Sequence, residues 1–294
     1  MAEEHNIIPL NRHASGVYGE IVHDLANPLP RGLLPQHVDV VVHAAGLVGQ
    51  SANSSQLFHR VNVDATRELV EYAIDAGATR FVFFSTGGIY RPTEEMLSED
   101  ATVFPTDAYT ESKFAAEHIV NQFEGSIAAQ VLRLFFPFGP TQEGRLIPVL
   151  IQRIASNVPV PLINAAGQPL VTPLYIDDLV EYIRRILGIP YSLTVNVAGD
   201  EAVSILAMAT MIGKLLGKAV QFEIGESGAT ACNWRGSNSR IARLTKYRPQ
   251  VTFAQGLERT IGQFLSARVN PEKSRIRNHY GLPNHRPGPP EDAA

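Results

Sequence analysis

The residues of this chain best suited to chemistry are two hydroxyl side chains, followed by a tyrosine and a lysine. Ser85 and Thr86 end the run RFVFFST, and Tyr109 and Lys113 lie in the segment YTESK. Residues four positions apart lie on the same face of a helix, so the ammonium of Lys113 can lie beside the phenol of Tyr109. A nearby cation lowers a tyrosine pKa from about 10 toward the range where it exchanges protons at neutral pH. The set predicts an oxidoreductase-type site, in which a proton accompanies hydride transfer.

A parallel sheet covered by helices is the predicted scaffold, because strand-like runs alternate with helix-like segments in an α/β pattern. RFVFFST has the content of a buried parallel strand, and ligands of such sheets bind beyond the carboxyl ends of strands. Ser85 and Thr86 are therefore expected near substrate, unless one of them only satisfies backbone groups as the strand turns. The five strand-like runs are IIPLNR (7–12), EIVHDL (20–25), VDVVVHAAG (38–46), RFVFFST (80–86) and AAQVLRLFF (128–136).

Helical spacing predicts a crossover helix between the third and fourth runs, with Gly77 at its C-terminal cap. Its apolar face would carry Phe58, Val61, Ala65, Leu69, Tyr72 and Ala73. After residue 140 the sequence predicts a helix over about 204–216, a strand at VQFEI (220–224) and an amphipathic helix carrying Leu257, Ile261, Phe264 and Leu265. This part is predicted to be a smaller cap over the pocket. Residues 270–294, rich in proline and charge, are predicted to be disordered.

Composition argues against several classes of function. The chain has 294 residues, 45% of them hydrophobic, and a formal net charge of −4 with charges interspersed, so nucleic acid is not an expected partner. No apolar stretch approaches the roughly 18 residues of a spanning helix, and no membrane association is expected. Cys232 is the only cysteine, and no metal-ligand spacing is present, so neither a disulfide nor a metal is expected. Without a secretory segment, the expected location is the cytoplasm.

The ordered motifs resemble those of the extended short-chain dehydrogenase/reductase family, which contains NAD(P)-dependent nucleotide-sugar epimerases, dehydratases and related reductases. The resemblance covers most of residues 5–265. It implies a Rossmann-like doubly wound parallel sheet and a small C-terminal substrate-binding cap. The motifs are HDL (23–25), VDVVVHAAG (38–46), NVDAT (62–66), STGGIY (85–90), YTESK (109–113), LRLFFPFGP (132–140), YIDDLV (175–180) and NVAG (196–199).

The resemblance also implies domains and residue roles. Residues 1–140 and 172–200 would form the dinucleotide-binding domain, residues 141–171 and 201–269 the cap, and a homodimer is a frequent assembly of the family. Thr86 would orient the substrate oxygen, Tyr109 would be the general acid/base, and Lys113 would lower the phenol pKa and bind the nicotinamide ribose. The residues expected around NAD(P) are Asn11, Arg12, Asp24, Leu25, Ala44, Ala45, Gly46, Asn62, Ser85, Tyr109, Lys113 and Phe136.

Several polar residues of these motifs are interpreted as structural. Asn62 is expected to bond backbone and ordered water rather than touch substrate. His43 is expected to be a hydrogen-bonded residue at a strand end. Asp177 and Asp178 are expected to be carboxylates at a helix N-terminus, where unpaired amides and the helix dipole favour them.

The N-terminal part departs from the family pattern. The family opens with a strand and GxxGxxG, whose glycines let the backbone approach the pyrophosphate, and this chain has no such motif. IIPLNR corresponds to the second strand, and the missing first strand is the central one in the order 3-2-1-4-5-6. Its neighbours would carry unpaired backbone groups that cost about 1 to 3 kcal/mol each if buried. We expect an N-terminally incomplete sheet from a truncated reading frame, with a natural variant whose strands close up as the alternative.

Two departures concern the cofactor and the substrate. Asn11 stands where an acidic residue would accept from the ribose 2′-hydroxyl, and Arg12 beside it could meet a 2′-phosphate, which favours NADP over NAD; a surface arginine is an equal alternative. Phe136 replaces an Asn of the pattern RLFNVYGP, and Val171 replaces an Arg of RDFIYVDD. Both changes remove polar contacts, so a nucleotide sugar and a less charged carbonyl compound both remain candidate substrates.

The type of reaction is only partly limited by the sequence. Gly87 and Gly88 follow Thr86, where a dehydratase would carry an acidic pair, and this disfavours dehydration. Reduction and epimerisation both remain open. The alternative from another class is a non-catalytic binding protein that kept the architecture and lost the cofactor loop, which retention of Thr86, Tyr109 and Lys113 argues against.

Overall fold

Strands and helices alternate along the chain, as predicted. The computed structural model describes residues 5–49, 55–225 and 233–269. In these ranges the strands are β1 (Leu10–Asn11), β2 (Ile21–Val22), β3 (Val40–His43), β4 (Arg80–Thr86), β5 (Ala128–Leu134), β6 (Pro137–Phe138), β7 (Val160–Leu162), β8 (Leu170–Val171), β9 (Leu174–Tyr175), β10 (Leu193–Val197), β11 (Val203–Ser204) and β12 (Phe222–Ile224). The helices are α1 (Ser55–Phe58), α2 (Ala65–Asp75), α3 (Ala108–Asn121), α4 (Leu146–Ala155), α5 (Ile176–Ile186), α6 (Ile205–Leu216), α7 (Ser239–Thr245) and α8 (Phe253–Val269).

The central sheet has four parallel strands in the order β10-β5-β4-β3. Helices α2 and α3 cover one face around Phe81 and Val131, and α5 covers the other around Val82 and Leu132. A strand covered on both faces needs a continuous apolar run, which β4 and most of β5 supply. This arrangement confirms the predicted α/β fold with a Rossmann-like parallel sheet.

The N-terminal strands stand apart from the central sheet. β1 and β2 pair with each other in parallel, and β3 pairs with β4 on one edge while no described strand pairs with its other edge. Leu10 and Ile21 still pack against the same buried core as Val41 of β3. The alternative in which the remaining strands close up into one sheet is therefore not what the described residues adopt.

The exposure of residues at these strand edges explains how the fold tolerates the separation of β1 and β2 from the central sheet. Val42 of β3 is 41% exposed, whereas Val82, its register partner on β4, is fully buried. Leu10 and Asn11 of β1 are only partly buried. Backbone groups at such edges can bond water, so the penalty for buried unpaired groups is reduced.

The predicted crossover helix is present, but it is interrupted. A π-helical turn at His59–Asp64 joins α1 to α2 and carries the buried Asn62. Such wide turns occur frequently at functional sites. Gly77 has a φ of +79°, which suits the predicted C-terminal cap.

The second half of the chain packs around a core of its own. This core contains residues of α4, α6 and α8 and of β7 and β8, among them Ile151, Met208, Leu257, Val160 and Val171. The predicted strand at VQFEI is β12, and the predicted helices over 204–216 and around Leu257 are α6 and α8. The assignment of this half as a separate cap stays a prediction. The predicted disordered tail, 270–294, and Cys232 lie outside the described residues.

Candidate active site

Thr86 and Tyr109 meet at the carboxyl end of β4. Thr86 is the last residue of that strand, and its side chain accepts a hydrogen bond from the Gly88 amide at 3.1 Å. Tyr109 lies in the first turn of α3, whose N-cap, Asp107, accepts from the Thr110 amide at 2.7 Å. A capped helix end holds its first turn in one geometry. The Thr86 side chain lies close enough to the phenol of Tyr109 to lower its pKa.

The pKa of Tyr109 differs from the sequence-based expectation. Burial raises the pKa of the phenol, and the charge of Arg145 and the neighbouring Thr86 side chain only partly oppose this effect. The prediction that the pKa of Tyr109 is lowered is therefore wrong. Burial disfavours the phenolate, and Lys113 does not act on this phenol in the structure. Arg145, which precedes α4, supplies the nearby charge instead.

Lys113 is buried one helical turn after Tyr109, on the side of β3. Its Nζ lies 4.1 Å from the centre of the Phe83 ring, and no described residue accepts a hydrogen bond from it. Burial lowers the pKa of the ammonium to about 7, opposed by the carboxylate of Glu117. Lys113 is therefore a poorly solvated cation that lacks an acceptor, a feature common at functional sites.

A loop of small residues lies against this lysine. Ala44, Ala45 and Gly46 follow β3 and are exposed, and a Cβ built on Gly46 would lie 3.2 Å from Oδ1 of Asn62 and 3.7 Å from Nζ of Lys113. Asn62 anchors the loop: its Oδ1 accepts from the Leu47 amide at 2.7 Å and its Nδ2 donates to the Leu47 carbonyl at 3.0 Å. Nδ2 also donates to Ser112 Oγ at 2.8 Å. Asn62 thus ties the loop to the helix of Tyr109 and Lys113.

The residues predicted around adenosine are mostly engaged with one another. Arg12 pairs with Asp24 at 3.0 Å, and the Nδ2 of Asn11 donates to Glu20 at 2.8 Å. The side chain of Leu25 is buried in the core, so only its backbone could face a ligand. Their place in a cofactor site stays a prediction.

Two further residues predicted to lie around NAD(P), Ser85 and Phe136, are found at the carboxyl ends of β4 and β5. The Ser85 hydroxyl is buried and donates its proton to Oε1 of Glu117 at 2.5 Å, so it could contact a ligand only as an acceptor. Of the Ser85 and Thr86 pair, Thr86 is the one whose hydroxyl satisfies a backbone group as the strand turns, since it accepts from the Gly88 amide, whereas Ser85 bonds a side chain. Phe136 has a φ of +45°, which is rare for an aromatic residue and indicates a backbone held by its surroundings.

A buried polar network below Ser85 was not foreseen from the sequence. Glu117 accepts from Arg133 through Nε at 3.0 Å and through Nη2 at 2.7 Å, and Arg133 donates to the Tyr90 hydroxyl at 2.7 Å. Tyr90 in turn donates to Oδ1 of Asn196 at 2.8 Å. Two features of the sequence could have indicated this network: Arg133 lies inside the apolar run AAQVLRL, and Glu117 lies four residues after Lys113.

The polar residues interpreted as structural are hydrogen-bonded. His43 is buried, its Nε2 lies 3.0 Å from Thr66 Oγ1, and burial, together with the charge of Lys113, lowers its pKa to about 3. Asp178, in the first turn of α5, accepts from the Gln250 and Val251 amides. The described ranges contain no group of three or more His, Cys, Asp or Glu that could hold a metal, and no helix in them is long and apolar enough to span a membrane.

Comparison with known proteins decides the family. The NAD dependent epimerase/dehydratase family matches residues 23–198, a stretch that includes Thr86, Tyr109 and Lys113. This chain belongs to that family. Because the homologues are NAD-dependent sugar epimerases and dehydratases, this epimerase/dehydratase-family member is an enzyme.

Individual relatives of this epimerase/dehydratase-family chain agree with the assignment. It is 26% identical over 271 residues to an uncharacterized UDP-glucose epimerase, YtcB, of Bacillus subtilis, which covers 89% of this chain and 83% of the relative. Its structure is similar to that of UDP-glucuronic acid 4-epimerase from Bacillus cereus in complex with UDP-glucuronic acid and NAD, with a TM-score of 0.76, 24% identity, and coverage of 84% and 81%. RMD from Pseudomonas aeruginosa complexed with NADPH gives a TM-score of 0.74 at 22% identity, with coverage of 83% and 87%. These structural matches establish the shared fold.

Proposed function

We propose that this protein is an NAD(P)-dependent oxidoreductase or epimerase that acts at a carbinol or carbonyl carbon of a nucleotide sugar or a smaller carbonyl compound. The observation that carries the proposal is that Thr86 and Tyr109 lie next to each other at the carboxyl end of β4, with Lys113 one turn further along α3. Ligands of open parallel sheets bind at this end of the strands. Tyr109 is the general acid/base, and Thr86 orients the substrate oxygen.

A nicotinamide dinucleotide fits the residues present at one end of the site. Nζ of Lys113 has no acceptor among the described residues and lies beside the exposed loop of Ala44, Ala45 and Gly46. Ribose hydroxyls would supply the missing acceptors, and small side chains leave room for the backbone to approach the cofactor. When bound, the nicotinamide would supply the hydride donor or acceptor.

Tyr109 is the residue that transfers the proton. Because burial raises the pKa of its phenol, Tyr109 holds its proton at neutral pH and is ready to donate it to a carbonyl oxygen. In the opposite direction it must first lose that proton, and the positive charge of Arg145 favours the phenolate. The Thr86 hydroxyl, which lies beside the phenol, would supply a further hydrogen bond to the same carbonyl oxygen.

Glycines after Thr86 support reduction or epimerisation over dehydration. A Cβ at Gly87 would lie 2.5 Å from the Phe135 ring, so no acidic side chain fits there without movement of that ring. The names of relatives, which include UDP-glucose and UDP-glucuronate epimerases, favour a nucleotide sugar. Phe136 and Val171 leave fewer polar groups for its recognition than the family pattern offers.

A homodimer and a cytoplasmic location complete the proposal.

The test combines cofactor titration with one substitution. NADH and NADPH are titrated into the 294-residue chain and followed by nicotinamide fluorescence, and turnover is then assayed with UDP-glucose and UDP-glucuronic acid. Tyr109→Phe should lower kcat by about 10²-fold or more and leave cofactor affinity nearly unchanged. Tyr191→Phe, at an exposed tyrosine, is the matched control. Equal turnover in Tyr109→Phe would refute the acid/base role, and absence of binding of both NADH and NADPH would refute the proposed function.

A further inference from the structure

The backbone around Thr86 makes a tight turn as β4 ends. Thr86 is the last residue of the strand, and the three residues after it, Gly87–Ile89, form one turn of 3-10 helix. Ser85 precedes this turn and Tyr90 follows it, and both side chains are buried. The position of the Thr86 hydroxyl therefore depends on how Ser85 and Tyr90, the two ends of the turn, are held.

Both ends of the turn are attached to one buried ion pair, Glu117 with Arg133. The Ser85 hydroxyl donates to Oε1 of Glu117 at 2.5 Å. Nη1 of Arg133 donates to the Tyr90 hydroxyl at 2.7 Å, and Cζ of Arg133 lies 5.0 Å from the centre of the Tyr90 ring. Ser85 and Arg133 are also register partners on neighbouring strands, so their side chains lie on the same face of the sheet. The ion pair is therefore a common support for the two ends of the turn.

Helix α3 meets the end of β4 through two polar side chains. Tyr109 lies beside Thr86, and Glu117, further along the same helix, accepts from Ser85. The eight residues from Tyr109 to Glu117 span about 12 Å of α-helix, so two contacts this far apart set both the position of α3 along the strand and its tilt. Apolar packing between helix and sheet is non-directional, whereas a hydrogen bond has a preferred distance and angle. The contact of Glu117 with Ser85 thus fixes the register of α3 against β4.

Stability alone is a weak reason for such a network. Replacement of a buried ion pair by apolar side chains of similar volume is often neutral or stabilising, because both charges lose their hydration in the interior. Apolar side chains cannot supply directional bonds, and here donors from β4 and β5 both end on the carboxylate of Glu117. Catalysis does depend on such directional support, since a misplacement of about 1 Å can lower a rate by about 10²-fold.

We propose that Ser85 and Tyr90 are positioning residues, which hold Thr86 in place through the buried ion pair. Held in this way, the Thr86 hydroxyl stays in register with the phenol of Tyr109. The inference rests on the proposed function, since it takes Thr86 and Tyr109 as the groups that act on the substrate oxygen. Ser85 has this role within the protein itself, where the sequence indicated a contact with the cofactor. Both positioning residues act through Thr86 and need no contact with the reacting atoms.

The experiment compares kcat and KM in variants of the 294-residue chain that each lose one hydroxyl. Ser85→Ala and Tyr90→Phe should each lower kcat by about tenfold and leave KM and the dissociation constants of NADH and NADPH within about twofold. Ser85→Thr keeps the hydroxyl and should retain most of the kcat. The matched control is Ser192→Ala, which removes a serine hydroxyl that accepts from the Ala129 amide near the amino end of β5 and should leave kcat unchanged.

A double-mutant cycle separates positioning from a merely structural role. If Ser85 acts through the register of Thr86 and Tyr109, Ser85→Ala should lower kcat by less than about twofold in the Tyr109→Phe background. A second readout needs no turnover: with isotope-labelled tyrosine, the ring signal of Tyr109 is the nuclear magnetic resonance signal that Tyr109→Phe removes. Ser85→Ala should shift or broaden this signal, and Ser192→Ala should leave it unchanged.

The outcomes are distinct once circular dichroism has shown which variants are folded. Should either Ser85→Ala or Tyr90→Phe fail to fold, the other decides. The positioning role would be overturned, while the proposed function stands, by an unchanged kcat, by an equal loss in both backgrounds, or by a change confined to KM or cofactor affinity. A folded Ser85→Thr as slow as Ser85→Ala, or an unchanged Tyr109 signal in Ser85→Ala, would also overturn it. Absence of both turnover and dinucleotide binding in the unmodified chain would overturn the proposed function and this inference together.

Discussion

Glu117 and Arg133 form a buried ion pair directly beneath the candidate active site. The guanidinium of Arg133 donates to both carboxylate oxygens of Glu117, with Nη2 to Oε2 at 2.7 Å, and both side chains are almost completely shielded from solvent. The same carboxylate accepts from Ser85, the residue before Thr86, and raises the pKa of Lys113 against the effect of burial. The pair therefore connects the end of β4 with the helix that carries Tyr109 and Lys113.

Removal of one charge of this pair should destabilise the protein strongly. Glu117→Gln leaves the guanidinium of Arg133 buried without a counter-charge, and the free energy of unfolding should fall by about 3 to 5 kcal/mol. Urea denaturation measures this, with Glu124→Gln, at an exposed carboxylate, as the control. The double variant Glu117→Leu with Arg133→Met should be less destabilised than the sum of its two single variants. Simple additivity would contradict the coupling.

The lowered pKa of Lys113 predicts a pH dependence of stability. Its pKa in the folded protein is about 7, against 10.5 for the unperturbed group. Between these values the unfolded chain holds the proton and the folded chain does not, so this group makes stability rise as pH increases from about 7 toward 10.5. Urea denaturation at both pH values gives the difference in free energy of unfolding between the unmodified chain and Lys113→Met. This difference should favour the unmodified chain more at pH 9.5 than at pH 7. A constant difference between the two chains would show that Lys113 keeps its proton when folded.

The glycine after Thr86 is predicted to be intolerant of even a small side chain. A Cβ at Gly87 would approach the Phe135 ring to 2.5 Å, and a Cβ at Gly236 would approach the same ring equally closely, so both glycines lie against the ring and leave it little room to move. Gly87→Ala should cost about 1 to 3 kcal/mol through overpacking and should disturb Thr86. Gly125→Ala, where a Cβ would meet nothing within 4 Å, is the control for both thermal unfolding and turnover. Equal melting temperatures would mean that Phe135 can shift.

The open edge of β3 predicts uneven hydrogen exchange. In a parallel strand, alternate amides point to opposite edges, and only one edge of β3 has a partner among the described strands. Alternate amides of Val40–His43 should therefore exchange much faster than those of β4, which is paired on both sides. Nuclear magnetic resonance measures this residue by residue. Uniform protection across β3 would show that its second edge is covered.

Much of the fold could be predicted because it depends on local patterns. The apolar run of β4 and the helical spacing before Gly77 require only short-range information, and both elements formed where the residues indicated. The spacing of Tyr109 and Lys113 likewise placed them one turn apart on α3. The interruption at His59–Asp64 was not predicted, because it depends on the contacts that Asn62 makes with Leu47 and Ser112, which are distant in sequence.

The sequence by itself determined the α/β architecture, the candidate catalytic residues and the family, since these depend on residue types in a fixed order. The tertiary structure alone decided how the charges are paired. Packing placed Lys113 beside Phe83 and buried the phenol of Tyr109, and this burial, which the charge of Arg145 only partly opposes, reversed the expected direction of the Tyr109 pKa. It also engaged Asn11 and Arg12 with Glu20 and Asp24. The physical reason is that desolvation and Coulomb interactions depend on distance in space, which residue order does not specify.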